Sequence, residues 1–130
     1  MNKNKRSTKI GWAISILISL MLMLDGVMKI IQPTEVIEAT TQLGYRENSI
    51  LSIGIILIII TILYLFPRTS FLGAILLTGF LGGAVATHFR IDNPLFSHQL
   101  FPVYLGIFIW LGVALRHPTI RQIFINPKNI

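Results

Sequence analysis

Four side chains able to do acid–base or charge-recognition chemistry sit within or at the ends of apolar runs: Asp25 and Lys29 in one, His88 and Arg90 at the end of another. An ionised group near the centre of a membrane helix costs about 2.5–3.5 kcal/mol on insertion scales, so such groups need partners or a purpose. Asp25 and Lys29 are four residues apart, which places them on one helical face within pairing distance. His88 can give or take a proton near neutral pH, and Arg90 presents a permanent cation. Brought together, the four would line a polar mouth for an anionic or carbonyl-bearing small molecule, with Asp25 holding Lys29 in place. The plainer alternative is that Asp25 and Lys29 only neutralise each other while His88 and Arg90 mark the water boundary.

Other chemistries have less to stand on. Cysteine is absent, which excludes disulfides, iron–sulfur clusters and thiolate metal sites, so any redox centre has to be borrowed from a partner. His98 is expected in or beside a loop and His117 on the opposite side of the membrane, which argues against a bis-histidine haem site. No histidine and carboxylate spacing suggests zinc or di-iron, and no metal is expected.

The elements that must position these groups follow from composition. Of 130 residues, 53% are hydrophobic and 12% charged, and the mean hydropathy is +0.72, which calls for one domain, residues 1–130, in a bilayer rather than in water. A hydrocarbon core about 30 Å thick needs roughly 20 apolar residues as helix. Four runs qualify, at about residues 10–31, 50–66, 71–88 and 100–115, and they predict an all-α, four-helix transmembrane bundle. The runs are rich in isoleucine, but strands with unpaired edges cannot exist in lipid. The first run continues past Asp25 with no A-x-A site after it, so it is expected to remain as a span rather than be cleaved as a signal peptide.

The punctuation agrees. Pro67 ends the second span, Thr69 or Ser70 can cap the third, and the short turn forces a helical hairpin. Pro33 followed by TEVIEATTQLGY predicts a short amphipathic helix stopped by Gly44, lying on the membrane surface between the first two spans. Asp92-Asn93-Pro94 marks a turn, and Pro102 suits the first turn of the last span. The third span carries Gly73, Gly79, Gly82, Gly83, Ala84 and Ala86, and Gly79 with Gly83 and Gly82 with Ala86 make small-xxx-small pairs, suited to tight packing in the bundle, to a homo-oligomer face, or to a flat quinone-accepting groove.

Loop charges orient the bundle. Lys3, Lys5, Arg6, Lys9, Arg68, Arg116, Arg121 and Lys128 fall on one side, against only Arg46 and Arg90 on the other, so both termini are expected in the cytoplasm of a multi-pass cell-membrane protein. The net charge of +6 follows from this bias, and no basic face for nucleic acid is expected. The first and third spans then run in the same direction, which brings Asp25, Lys29, His88 and Arg90 to one depth on the extracytoplasmic side.

Several strings carry a family likeness: LYLFPRTSFLGAILLTGFLGGAVATHFRIDNPLF, LDGVMKI in the first span, the LGY before the second, and the closing IWLGVALRHP. Over roughly residues 20–118 the chain resembles the DoxX-like family of small four-helix bacterial membrane proteins. The resemblance implies a bacterial inner membrane and an association with membrane oxidoreductases, the family's name deriving from a subunit of a thiosulfate:quinone oxidoreductase. By position, Lys29, Pro67, Arg68, Thr69, Gly73, Thr78, Gly82, Gly83 and His88 fit the family pattern. One departure is the second span, where many members carry an acid a few positions after the glycine matching Gly54; here Ile55–Ile60 contains none. Asp25 is then the only acid within the spans.

Together these readings predict an accessory or ligand-binding subunit of a membrane or peripheral oxidoreductase, with Asp25, Lys29, His88 and Arg90 as ligand-binding residues and a quinone as the candidate cofactor. The alternatives are a quinone-linked oxidoreductase subunit with a catalytic role, or a small transporter. The cytoplasmic halves of the spans read as uninterruptedly apolar, which argues against a path through the membrane.

Overall fold

The computed structural model describes residues 2–126 and 128, with side chains from residue 5 onward; the Lys3 side chain, counted among the charges above, lies outside the described residues. The described chain is all-helical: α1 (Asn2–Ile31), α2 (Thr34–Gln42), α3 (Ile50–Leu65), α4 (Ser70–Arg90), α5 (Phe101–Arg116) and α6 (Pro118–Ile125). Short 3₁₀ and π turns at Glu47–Ser49 and Leu95–Gln99 lead into α3 and α5. With these turns included, four segments are long and apolar enough to cross a membrane, namely Lys5–Ile31, Glu47–Leu65, Ser70–Arg90 and Leu95–Arg116. The predicted short helix between the first two spans is α2; α6 was not anticipated.

The spans form a closed ring in which α1 packs against α3 and α5, and α4 packs against the same two helices. Thus α1 and α4 face each other across the diagonal. Leu57, Leu77 and Ile109 are fully buried with Ile18 and Leu22 against them, forming an apolar layer at mid-bundle. Glycine sets the spacing where backbones touch. A Cβ on Gly11 would lie 2.6 Å from Arg116 N, and one on Gly54 would lie 2.8 Å from Gly26 O, closer than real Cβ atoms come. One on Gly73 would fall on the Tyr64 backbone.

The α3–α4 hairpin closes differently from expectation. Neither Thr69 nor Ser70 caps α4 with its side chain; Thr69 Oγ1 donates to Leu63 O at 2.6 Å and Ser70 Oγ to Phe66 O at 2.6 Å. The last carbonyls of a helix lack intrahelical donors; Pro67 has no N–H to give Leu63 O, and the Thr69 hydroxyl takes its place, while the Ser70 hydroxyl joins the Thr69 N–H on Phe66 O.

Candidate functional site

The small residues of α4 are not where its backbone packs most tightly. A Cβ built on Gly79, Gly82 or Gly83 would meet nothing within 4 Å. The expectation that these three glycines bring helices into contact is therefore corrected; only Gly73, one end-turn away, does so. Gly79 and Gly83 instead leave space across the diagonal from α1, and a cavity of about 630 Å³ opens there, at the end of the bundle away from the termini.

Three of the four predicted side chains reach this cavity. Asp25 and Lys29 come from α1 and His88 from the last turn of α4. Lys29 Nζ donates to Asp25 Oδ1 at 2.6 Å, with the lysine side chain 17% exposed and the carboxylate 52% exposed. The aspartate thus anchors the amine at the cavity wall. Asn93 Nδ2 donates to His88 Nδ1 at 2.7 Å, so neutral His88 carries its proton on Nε2, where it can serve as a donor. Gln99 Nε2 in turn donates to Asn93 O at 2.7 Å, tying the Asp92 turn to the start of α5. The His98 ring meets His88 edge to face at 5.9 Å between centroids, a neighbour that sequence spacing did not suggest.

Arg90 does not line the cavity. Its Nη2 donates to Leu43 O at 2.7 Å, so the guanidinium caps the carbonyl end of α2, where a cation also suits the helix dipole. Gly44 makes room for this: it has φ +96°, and a Cβ there would collide with the Arg90 guanidinium. A second tie follows at once, since the Tyr45 hydroxyl donates to Thr87 Oγ1 at 2.8 Å, whose own proton goes to Gly83 O. These two ties hold α2 over the bundle end. Its Val36, Ala39, Thr40 and Leu43 roof the cavity, so this helix covers the site with the face expected to lie on lipid.

The remaining walls are apolar, with Leu22, Ile53, Phe80, Leu81 and Leu105 among them. A cavity with a glycine floor, hydrocarbon walls and one polar end carrying an ammonium and an imidazole N–H fits a flat, carbonyl-bearing ring with a greasy remainder. Among the described residues, no group of three or more His, Asp or Glu side chains could hold a metal ion.

A second polar cluster occupies the half nearest the termini, which the sequence had read as purely apolar. Ser15, Ser19, Tyr64 and Arg116 are all buried. Tyr64 Oη donates to Ile109 O at 2.6 Å and accepts from Ser15 Oγ at 3.2 Å. Arg116 donates to the carbonyls of Tyr64 and Leu65 at the end of α3, and its guanidinium lies over the Trp12 and Tyr64 rings at 4.5 and 4.6 Å. His117 follows it, and burial, then the Arg116 charge, hold that imidazole below its ordinary pKa. The apolar layer of Leu22, Leu57, Leu77 and Ile109 stands between this cluster and the cavity.

A model of the DoxX-like family matches residues 13–112, a stretch that includes most of the first and last spans, the whole of the two between them, and the cavity-lining residues from all four. The chain belongs to the DoxX-like family. No curated protein and no solved structure matches it. In this DoxX-like protein Lys29 and His88 line the cavity, Gly73 makes the α3–α4 contact, and Arg68 sits in the hairpin turn. Its α3 contributes Ile53 to the cavity wall, and residues 55–60, which follow Gly54, contain no acid.

Proposed function

We propose that this DoxX-like protein is a ligand-binding, accessory subunit of a membrane oxidoreductase, with the cavity between α1, α2 and α4 as its binding site. The observation that carries the reading is the convergence of the Lys29–Asp25 pair and His88 on one α2-roofed cavity of about 630 Å³. The ligand chemistry that suits it is a quinone-like molecule: donors at one end, apolar walls along the rest, and glycines that let a planar ring approach the backbone. Electron transfer would belong to a partner subunit holding its own redox centre. The apolar layer at mid-bundle supports binding over passage, and so weighs against a transporter.

The test is native mass spectrometry of the full chain from gentle detergent, with a short-chain benzoquinone added. The parent is expected to retain a bound small molecule or take up the quinone, and Gly79→Leu, which fills the cavity floor, is expected to lose it. Uptake unchanged by Gly79→Leu and by a His88→Ala, Asp25→Asn double variant would end the proposal. The same reading sets the cavity on the extracytoplasmic side. Because the chain has no cysteine, single cysteines introduced at Ser97 and at Thr119 report orientation: a membrane-impermeant maleimide added to whole cells should label the first and spare the second.

A further inference from the structure

We propose that the outward face of α4 and α5 seats an acyl chain of an anionic phospholipid, with the lipid phosphate held by Arg121 of α6. A groove of about 820 Å³ runs along this face, distinct from the diagonal cavity. Gly82 and Gly106 form its floor: a Cβ on Gly82 would meet nothing within 4 Å, and one on Gly106 only Leu81 Cδ1 at 4.0 Å. Trp110 forms one wall; its indole N–H is already given to Thr78 Oγ1 at 2.8 Å, so what the ring offers the groove is apolar surface.

The groove has a polar end and an apolar length, in the order a phospholipid requires. It extends along α5 from Pro102 to Leu115, about 20 Å at 1.5 Å rise per residue, which exceeds the roughly 15 Å of one hydrocarbon leaflet. At the end nearest the termini α6 folds back after Pro118, with Phe124 edge to face against Trp110 at 5.7 Å between centroids. Arg121 lines that end. Among the described residues it has no acidic partner, and all five acidic side chains, Asp25, Glu35, Glu38, Glu47 and Asp92, lie toward the other end of the bundle. A guanidinium with no acidic partner among the described residues, at membrane-interface depth above an apolar trough longer than one leaflet, is complementary to a phosphate carrying hydrocarbon chains.

The full chain carries two tryptophans, and Trp110 alone lines the groove, so its fluorescence reports what enters. The protein is reconstituted in vesicles containing phosphatidylglycerol or phosphatidylcholine with brominated acyl chains, and quenching of Trp110 is measured in a Trp12→Phe background. A Trp110→Phe variant defines the Trp12 signal should that background fold poorly. Phosphatidylglycerol is expected to be favoured about fivefold, the equivalent of about 1 kcal/mol for one basic residue at an anionic surface. Arg121→Gln should abolish the preference, and Gly106→Leu should lower quenching by both lipids. Equal quenching by the two lipids in the parent, a preference that survives Arg121→Gln, or quenching indifferent to Gly106→Leu would each overturn the proposal. So would quenching that declines as protein density rises, because a second copy of the chain would then be covering the groove.

Discussion

Gly54→Ala and Gly82→Ala make the same chemical change in two spans, and the structure gives them opposite outcomes. Both add one methyl and both gain the same helix propensity, up to about 1 kcal/mol. A Cβ at position 82 meets open space, so that gain should stand alone. At position 54 the methyl would lie 2.8 Å from Gly26 O and 2.8 Å from Lys29 Cβ. Ordinary contact begins near 3.4 Å, so α1 and α3 must part by about 0.6 Å, because Gly26 O is backbone and the Lys29 Cβ is fixed by its own backbone whatever the rotamer. Overpacking of this kind costs about 1–3 kcal/mol. The propensity gain cancels in the comparison, so the difference between the two variants isolates the packing cost. Reversible unfolding in mixed micelles, followed by circular dichroism, should find Gly54→Ala less stable than Gly82→Ala by that amount. Stabilities that agree within about 0.3 kcal/mol would refute the claim that glycine sets the α1–α3 spacing.

Removing Lys29 alone should destabilise the bundle more than removing Lys29 and Asp25 together, because Lys29→Met strands a carboxylate whereas adding Asp25→Asn leaves no charge; unfolding midpoints of the two variants check the order. Tyr45→Phe or Arg90→Gln each deletes one tie on α2, worth about 0.5–1.5 kcal/mol, and should speed amide exchange in α2 roughly two- to tenfold with little effect on exchange in α3. For His117 the folded state disfavours the proton, so its contribution is complete above the ordinary imidazole value near 6.5 and is lost as pH falls below it. Thermal unfolding of the parent should therefore weaken from pH 7 to pH 5, and His117→Gln should weaken less.

The spans were legible because hydropathy alone identifies them, and their boundaries moved only by turns: α4 gained its last residues through Arg90, and a π turn from Leu95 extended the last span outward. The Asp25–Lys29 pair was legible from spacing, and the shared depth of His88 from topology. Arg90 was misjudged because depth is not direction. Two residues along a helix rotate a side chain by roughly 200°, so His88 and Arg90 cannot face the same space. The role of α2 and the Ser15, Tyr64 and Arg116 cluster depended on which helices neighbour which, and no local pattern encodes the ring order. A signal was present all the same: Gly11 on α1 and Gly112 on α5 are the glycines at which those two helices meet.

Arg116 also bears on how the molecule is made. The last span supplies the guanidinium that finishes the end of the second, and the backbone against which the first span rests. Until the ribosome has delivered residue 116, the Tyr64 hydroxyl lacks the Ile109 carbonyl and the end of α3 lacks its guanidinium. Assembly must then await the fourth span, and a chain released before residue 116 would be left open along one seam for membrane quality control to find.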